Sequence, residues 1–211
     1  MKDKRVIVLM GGPSKEAEVS RRTGAAIAEA LQSIGYDAQT LELRPATVIE
    51  DIRSMGGEVV FNAIHGRYGE DGAVQGALEL AGIPYTGSGI MAHAVGMNKK
   101  ISKDAFKGAG IPTADSQSYD GRRLSAEEIG EAINERFGLP VVLKPATQGS
   151  SIGVVIVRDG AKLLSAVKEA LQYDPILVAE HFLDGGEFTV GVLDGKALPV
   201  IEIDRKSTRL N

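Results

Sequence analysis

The first half of the chain combines short apolar runs with one long amphipathic stretch. Residues 5–10 form an apolar run that stops at two glycines, which predicts a buried strand ending in a tight turn. Residues 38–43 alternate as a strand, and residues 59–64 form another apolar run. Between the first two runs, small and apolar side chains recur at helical spacing, with Gly35 as the expected C′ residue. The recurring positions are Val19, Thr23, Ala26, Ile27, Ala30, Leu31 and Ile34.

This strand–helix–strand order predicts a parallel α/β sheet. Ligands of such sheets bind at the carboxyl ends of the strands. Two polar, glycine-bearing segments fall at such ends, one at Gly11 and Gly12 and the other at His65 and Gly66. Their agreement indicates a ligand site more strongly than either segment alone.

A second unit begins near Met97 and is richer in strands. Helices are predicted over residues 98–109 and 161–173, and a capping box at residues 125–128 opens a further helix that runs to about Phe137. The hairpin-like links between the strands predict an α+β unit. The strands are expected at residues 140–144, 154–157, 176–180, 187–193 and 197–203.

Composition narrows the class of protein. The chain has 24 Lys and Arg against 28 Asp and Glu, a net charge of −4, so it lacks the basic surface that binds nucleic acid. It contains no cysteine, which excludes disulfides, thiolate nucleophiles and cysteine-ligated zinc. No apolar run is long enough to span a membrane, and the first residues lead into a strand rather than a signal segment. We therefore expect a cytoplasmic protein that handles small molecules.

The first cluster with chemical potential is residues 11–20, where glycines after a strand precede a helix N-terminus that favours an anion. It is neither the dinucleotide-binding pattern nor the phosphate loop. Glu16 and Glu18 suit an ammonium group better than a phosphate. The simpler interpretation is that both carboxylates only complement the helix dipole, and this segment alone favours that interpretation.

The second cluster, residues 65–76, has four glycines in twelve residues beside one of only three histidines. A lone histidine is more often structural, but His65 ends a predicted strand beside a polar turn, which favours a functional role. Glu70 and Asp71 have the simpler interpretation of capping the next helix. That helix carries Val74, Leu78 and Leu80.

The third cluster is spread over the second unit. Lys144 ends a predicted strand and is followed at once by a Gly/Ser loop, a combination of point charge and backbone N–H donors that suits polyphosphate. Lys99 could supply a second charge. Glu180 and Glu187 are strand-end carboxylates on either side of two glycines. Singly each is most often a solvated surface charge, but together these residues fit a nucleotide held between sheets.

Taken in order, the clusters resemble the D-alanine–D-alanine ligase family of the ATP-grasp superfamily. The resemblance runs from Val6 to Ile203 and rests on the segments GGPSKEAEVS, HGRYGEDGAVQGALELAGIPYTGSG, MNKKISK, LPVVLKPATQGSSIGV, VAEHFLDGGEFTV and LPVIEI. It implies an α/β chain with a Rossmann-like, parallel-sheet pre-ATP-grasp domain in residues 1–96. An α+β ATP-grasp central domain in residues 97–187 and the start of a C-terminal ATP-grasp domain in residues 188–204 would follow.

The resemblance also implies a reaction in peptidoglycan precursor synthesis. ATP phosphorylates the carboxylate of one D-alanine, and the amine of a second D-alanine attacks the acylphosphate. Glu16 is expected to hold the ammonium of the first D-alanine, and His65 to lie near the substrate carboxylate. Ser150 is expected to bond toward Glu16.

The implied nucleotide contacts lie in the second unit. The lysines are expected to neutralise phosphate oxygens, and the glycine–serine loop to close over them. Glu180 would meet the adenine amino group, the backbone of His181 and Leu183 would read the base edge, and Glu187 would bond the ribose. The full set is Lys99, Lys144, Gly149, Ser150, Ser151, Glu180, His181, Leu183 and Glu187.

Two departures from the family pattern stand out. The usual Met-Asp-Lys reads Met97-Asn98-Lys99, a change that keeps helix capping without the charge. The family's third domain, with its ligands for two magnesium ions, is expected to be largely missing, and residues 205–211 look like a non-native tail. Ligation by these 211 residues alone is therefore not expected, and phosphate release with ATP, Mg²⁺ and D-alanine measures it.

The resemblance leaves other functions open. D-Alanine–D-lactate and D-alanine–D-serine ligases share these motifs, and a non-catalytic module that binds a nucleotide or an amino acid is a third interpretation. Partners are expected to be D-alanine and ATP, with no nucleic acid and no membrane. Because family members commonly form homodimers through the first domain, a homodimer is also expected.

Overall fold

The computed structural model describes residues 3–203, so the predicted tail at residues 205–211 lies outside the described residues. The first strands are β1 (Arg5–Met10), β2 (Asp37–Glu42) and β3 (Val59–Asn62). The first helices are α1 (Ala17–Ser33), α2 (Val48–Ser54), α3 (Ala73–Ala81), α4 (Ile90–Met97) and α5 (Lys99–Gly108). The later helices are α6 (Ala126–Phe137) and α7 (Leu163–Leu171), the second preceded by a 3₁₀ turn (Gly160–Lys162). The later strands are β4 (Ser116–Asp120), β5 (Val141–Pro145), β6 (Val155–Val157), β7 (Ile176–His181), β8 (Phe188–Thr189), β9 (Val192–Leu193), β10 (Lys196–Ala197) and β11 (Ile201–Glu202).

The parallel sheet that the sequence predicts is confirmed, with the strand order β2-β1-β3. A single parallel bridge between Val60 and Tyr85 extends it. The central strand β1 is buried along its length, and helices cover both faces. One apolar cluster packs beneath α2 and α3, and the other lies under α1. Helix α1 ends as expected, because Gly35 takes the left-handed conformation (φ 88°) just after the last turn.

The three apolar residues Val74, Leu78 and Leu80 lie on α3 as predicted, but they differ in burial. Val74 and Leu78 are buried in the core, whereas Leu80 is 94% exposed. The physical reason is helical periodicity. Val74 and Leu78 lie four residues apart on one face, whereas Leu80 lies two residues further on and turns to the opposite side.

The second unit is built on an antiparallel sheet with the strand order β4-β7-β5-β6. Helices α6 and α7 bury their apolar faces against it, in a core that includes Ile129, Ile133 and Leu177. The predicted capping box is confirmed at the start of α6, where Ser125 and Glu128 exchange side-chain to backbone hydrogen bonds. This half is therefore the α+β unit that the sequence predicts.

Residues 187–203 form a hairpin in place of two continuous strands. The sequence predicts strands over residues 187–193 and 197–203, but each is divided into two-residue ladders, β8 with β11 and β9 with β10. The turn at Asp194 and Gly195 has positive φ at both residues, as a two-residue hairpin requires. The physical reason for the short ladders is exposure. Val192, Leu193 and Ile201 are all more than half exposed, so no described layer flattens this ribbon.

Helices α4 and α5 connect the two units. Asn98 caps α5, with its side-chain oxygen accepting from the Ile101 amide, as the sequence predicts for this variant of the Met-Asp-Lys motif. The amide of Lys99 donates to the Ala146 carbonyl (2.8 Å), which ties the start of α5 to the end of β5. No helix within residues 3–203 has both the length and the apolar character needed to cross a bilayer.

Candidate active site

The carboxyl ends of β1 and β3 meet, as their glycine-bearing segments predict. The Ser20 hydroxyl accepts from the Gly11 amide (2.8 Å) and donates to the Ala63 carbonyl (2.7 Å). Ser14 donates to the carbonyl of His65 (2.8 Å). Two loops that are about fifty residues apart in sequence are therefore joined by side-chain hydroxyls.

Glu16 and Glu18 have different environments although both lie at the start of α1. Glu16 is only 8% exposed, and its carboxylate accepts a hydrogen bond from the Ser150 hydroxyl of the second unit. It makes no side-chain bond to the start of its own helix. The side chain of Glu18 is 77% exposed and pairs with Arg21 at 3.4 Å. Glu18 therefore fits the helix-dipole interpretation, whereas Glu16 points into the junction between the two units.

A cavity of about 610 Å³ lies beside Glu16. Its acidic side chains are Glu16, Asp71 and Asp174, and Lys15 and Arg67 are its basic ones. The Lys15 ammonium lies 4.5 Å from the centre of the Tyr173 ring, a cation–π contact that bridges the two units. The full lining is Pro13, Ser14, Lys15, Glu16, Gly66, Arg67, Asp71, Ala94, Met97, Asn98, Thr147, Gln148, Gly149, Ile152, Tyr173, Asp174 and Pro175.

The loop after β3 is held in shape from within. Asp71 accepts from the amides of Tyr68 (3.1 Å) and Ala73 (3.0 Å), which supports its interpretation as a helix cap. The carbonyl of Gly69 accepts from two buried amides, those of Asn62 (2.8 Å) and Gln75 (2.6 Å). The sequence reasoning missed these two supporting residues. Their signal was weak, because one amide at a strand end and one inside a helix form no recognisable motif.

His65 contributes to the contact between the loops after β1 and β3 through its backbone. Its carbonyl accepts from Ser14, whereas its side chain is not among the described side chains that line the 610 Å³ cavity. A Cβ on the neighbouring Gly66 would lie 2.6 Å from a Glu16 oxygen, so glycine is required where this backbone passes the carboxylate.

The segment of residues 147–153, here called the flap, follows β5 and lies between the two units. Asp174 anchors its base, accepting from the amides of Thr147 (2.9 Å) and Ile176 (2.7 Å). Ser150 and Ser151 both have positive φ (46° and 60°), a region that residues other than glycine rarely adopt. Such backbone strain is typical of ligand clamps. The sequence analysis did not identify Asp174, whose only signal was its position before a proline.

A groove of about 520 Å³ opens on the other side of the flap. All nine residues that the sequence analysis assigns to nucleotide binding line this groove. Gln148 and Gly149 line both the groove and the cavity beside Glu16, so the flap forms a common wall. The groove is lined by Lys99, Val142, Lys144, Gln148, Gly149, Ser150, Ser151, Val154, Ile156, Glu180, His181, Phe182, Leu183, Gly185, Gly186 and Glu187.

The basic side of the groove is organised around Glu180. Its carboxylate pairs with Lys144 through one oxygen and with Lys103 (2.9 Å) through the other. Burial opposes its ionisation, yet the hydrogen bonds from both lysines hold the pKa of Glu180 below its usual range. Because a carboxylate has about four lone-pair sites, these two bonds leave capacity for a further donor.

Lys99 contacts the flap directly, since its ammonium donates to the Gln148 carbonyl. Burial and the nearby charge of Lys144 lower the pKa of Lys99. Lys103 was missed by the sequence analysis although a signal was present. It lies four residues after Lys99 on α5, so both lysines face the same side of that helix.

His181, which is expected to read the base edge, already has partners within the protein. The backbone N–H of His181 donates to the Asp115 carbonyl (3.1 Å), and its ring packs edge-on against Phe137 with 5.1 Å between centroids. A base contact from His181 would therefore have to use a group other than its N–H. Within residues 3–203, no group of three His, Asp or Glu side chains is arranged to hold a metal ion.

Comparisons with known proteins agree on one family. Residues 42–88 match the family described as D-ala D-ala ligase N-terminus, and residues 105–210 match D-ala D-ala ligase C-terminus. A D-alanine--D-alanine ligase of Actinobacillus pleuropneumoniae serotype 5b (strain L20) is 46% identical over 203 residues, 96% of this chain and 66% of that protein. One from Anaeromyxobacter sp. (strain Fw109-5) is 46% identical over 200 residues, 95% of this chain and 64% of that protein.

A solved structure is similar throughout the chain. The D-alanine--D-alanine ligase of Bacillus anthracis complexed with ATP is 34% identical, with a TM-score of 0.83. The match covers 97% of this chain and 67% of that one. The chain thus spans about two thirds of the length of these relatives, 66% and 64% for the two curated proteins.

Proposed function

The chain belongs to the D-alanine–D-alanine ligase family, and we propose on this basis that the full-length protein joins two D-alanines in an ATP-dependent reaction. The product would serve peptidoglycan precursor synthesis. One observation carries the proposal. The nine residues expected at the nucleotide line one groove, and the carboxylate expected at the amino acid lines the adjoining cavity across the flap.

Glu16 would hold the first D-alanine by its ammonium group. Its carboxylate is buried and accepts from the neutral Ser150 hydroxyl. A buried carboxylate that faces a cavity is stabilised by a cationic ligand, and charge-assisted hydrogen bonds are about twice as strong as neutral ones. The first D-alanine would therefore be oriented with its carboxylate toward the flap and the nucleotide groove.

Lys99 and Lys144 would bind the phosphate groups on the other side of the flap. Each ammonium now has a partner inside the protein, the Gln148 carbonyl for Lys99 and Glu180 for Lys144. The amides of the flap would add neutral donors. Glu180 and Leu183 would contact the adenine and Glu187 the ribose, because all three line the same groove as the two lysines.

The chemistry would need little covalent help from the protein. An oxygen of the first D-alanine carboxylate attacks the terminal phosphorus, and the bond from phosphorus to the bridging oxygen of ADP breaks. The second D-alanine, after its ammonium loses a proton, attacks the acyl carbon through nitrogen, and the tetrahedral intermediate expels phosphate. The residues named here act by positioning and by neutralising charge, which are large effects in phosphoryl transfer.

We propose that the family reaction uses magnesium, but the side chains of residues 3–203 do not form a site that could hold this ion. The described side chains hold no suitable cluster of carboxylates or imidazoles, so we derive no step through a metal ion. We further propose a cytoplasmic location and a homodimer, consistent with the small-molecule substrates. Analytical ultracentrifugation of the purified protein tests the homodimer.

The decisive experiment measures dipeptide synthesis by the full-length gene product and by its Glu16→Ala and Lys144→Ala variants. We expect both variants to lose most activity, while Glu18→Ala, the exposed neighbour on the same helix, keeps it. D-Lactate and D-serine offered as second substrates separate the related ligases. Full dipeptide synthesis in both variants would contradict the proposal, and ATP binding without any ligation would indicate a binding module.

A further inference from the structure

Lys103 is a buried ammonium that the proposed function leaves without a role. Its side chain is 14% exposed and does not line the 520 Å³ groove. It donates to the Thr113 hydroxyl (2.9 Å) and to the Ala114 carbonyl (3.0 Å), and pairs with Glu180 at 2.9 Å. These three partners use all three of its N–H donors. Lys103 is therefore fixed in place from three directions.

Lys144 has the opposite character although it pairs with the same carboxylate. Its side chain is 28% exposed and lines the groove. Glu180 thus lies between a fixed lysine behind it and a lysine that faces the ligand space in front of it. Lys99 on the neighbouring helix adds a third positive charge close to this pair.

We propose that Lys103 is a positioning residue for nucleotide binding, neutralising Glu180 from behind so that Lys144 can turn from Glu180 to a nucleotide phosphate. The inference rests on the proposed function, because it assumes a phosphate-bearing ligand in the groove.

The physical reason is the state of Glu180 after Lys144 moves. A buried carboxylate left without any cation is strongly destabilised. With Lys103 in place, one ion pair and its anchoring hydrogen bonds remain. Without Lys103, Glu180 would depend on its ion pair with Lys144, and a phosphate would have to compete with a buried carboxylate for Lys144.

Lys103→Met keeps the length of the side chain and removes its charge. We expect this variant of the full-length gene product to bind ATP about tenfold more weakly, the scale of one hydrogen bond to a charged group. The affinity for adenosine, which carries no phosphate, is expected to stay unchanged. Lys100→Met is the matched control on the same helix, since Lys100 pairs with Asp104 in an exposed contact. Calorimetric titration measures both ligands, and a thermal melt checks folding.

A second comparison, between Glu180→Gln and the double variant that also carries Lys103→Met, separates a positioning role of Lys103 from a structural one. In Glu180→Gln the carboxylate charge is gone, so adding Lys103→Met is expected to cause no further loss of ATP affinity. This comparison also serves if Lys103→Met alone fails to fold. An equal loss in the presence and absence of the Glu180 charge, or an equal loss for ATP and adenosine, would overturn the inference. Absence of ATP binding in the unmodified full-length gene product would instead reject the proposed function.

Discussion

The cavity beside Glu16 and the groove beside Lys144 are neighbours with different charged linings. The cavity is lined by three carboxylates, those of Glu16, Asp71 and Asp174, and by the cations of Lys15 and Arg67. Two of the carboxylates, Asp71 and Asp174, already accept several hydrogen bonds from the protein. The groove is lined by the two lysines Lys99 and Lys144 and by the carboxylates of Glu180 and Glu187. A small zwitterion and a polyanion would therefore be sorted to different sides of the same junction.

The flap lines both the cavity and the groove, which provides a physical route for coupling between them. Ser150 bonds to Glu16 on one side, and the Gln148 carbonyl bonds to Lys99 on the other. A ligand on either side would compete for one of these contacts. Because a ligand that displaces one of these contacts changes the wall shared with the other site, binding on one side is expected to change affinity on the other.

The largest expected effect comes from removing the cation that faces the groove. Lys144→Met should weaken ATP binding by about 30-fold to 100-fold, because a charge-assisted contact is lost and Glu180 loses one of its two lysines. Lys168→Met is the control, since its exposed pair with Glu127 (2.8 Å) contributes little. Titration calorimetry of the chain measures both. A similar loss of ATP affinity in the two variants would show that the groove lysine contributes no more to ATP binding than an exposed surface lysine.

The next largest effect concerns the acidic side. Glu16→Gln keeps the shape of the side chain but removes its charge, and it should weaken D-alanine binding about tenfold. Glu18→Gln, two residues away on the exposed face of α1, should leave it unchanged. Ligand-detected NMR titration suits this weak ligand. In Glu16→Gln, ATP affinity should change far less than D-alanine affinity. A larger loss for ATP would contradict the assignment of D-alanine to the cavity and of ATP to the groove.

A smaller effect is expected from pH, through Lys99. Burial and the charge of Lys144 lower the pKa of Lys99 in the free protein, and a bound phosphate would raise it. The contribution of Lys99 to ATP affinity is therefore complete at pH values below its free-state pKa, declines as the pH rises above that value and is lost above the higher pKa of the bound state. The decline should begin at a lower pH than for an exposed lysine. Lys99→Arg should remove it, and a pH-independent affinity in the unmodified protein would argue against Lys99 as a phosphate ligand.

The smallest expected effect tests the flap itself. Ser150→Ala removes the bond to Glu16 and should weaken ATP binding about threefold to fivefold by loosening the common wall. Ser165→Ala is the control, because its hydroxyl bonds to the Lys162 carbonyl on the exposed side of α7. Measuring ATP affinity with and without D-alanine sharpens the comparison. If the coupling between the two ligands were the same in both variants, the flap would not transmit it.

Much of the fold could be predicted from local patterns. The strands at the start of the chain, the glycine that ends α1 and the capping box of α6 each depend on neighbouring residues, and all were predicted correctly. Burial within α3 was not predicted, and Leu80 is exposed because an apolar residue in a helix is not always on its buried face. The split of residues 187–203 into short ladders could not be predicted, because strand length depends on what packs against the strand.

The candidate site, like the fold, was predicted in part by local sequence patterns and depended in part on tertiary contacts. Glycine-rich turns after strands and a lysine before a Gly/Ser loop are local signals, and they led to the residues that line the groove. Asn62 and Gln75 support their loop through contacts six or seven residues away, and Asp174 through one 27 residues away; no local pattern distinguishes the three from ordinary polar residues. Lys103 lies between these cases, since helical spacing places it beside Lys99 but only the fold brings it to Glu180.

The sequence alone determined the first three strands, most of the helices and the types of side chain at their ends, because helix periodicity, turn chemistry and strand patterns act over a few residues. Elements α2, α4 and β4 were not predicted. Tertiary structure alone decided which of two similar carboxylates, Glu16 or Glu18, is buried at the junction, and which lysines share Glu180. Burial and charge pairing depend on what the rest of the chain brings close, and that information is not contained in any single segment.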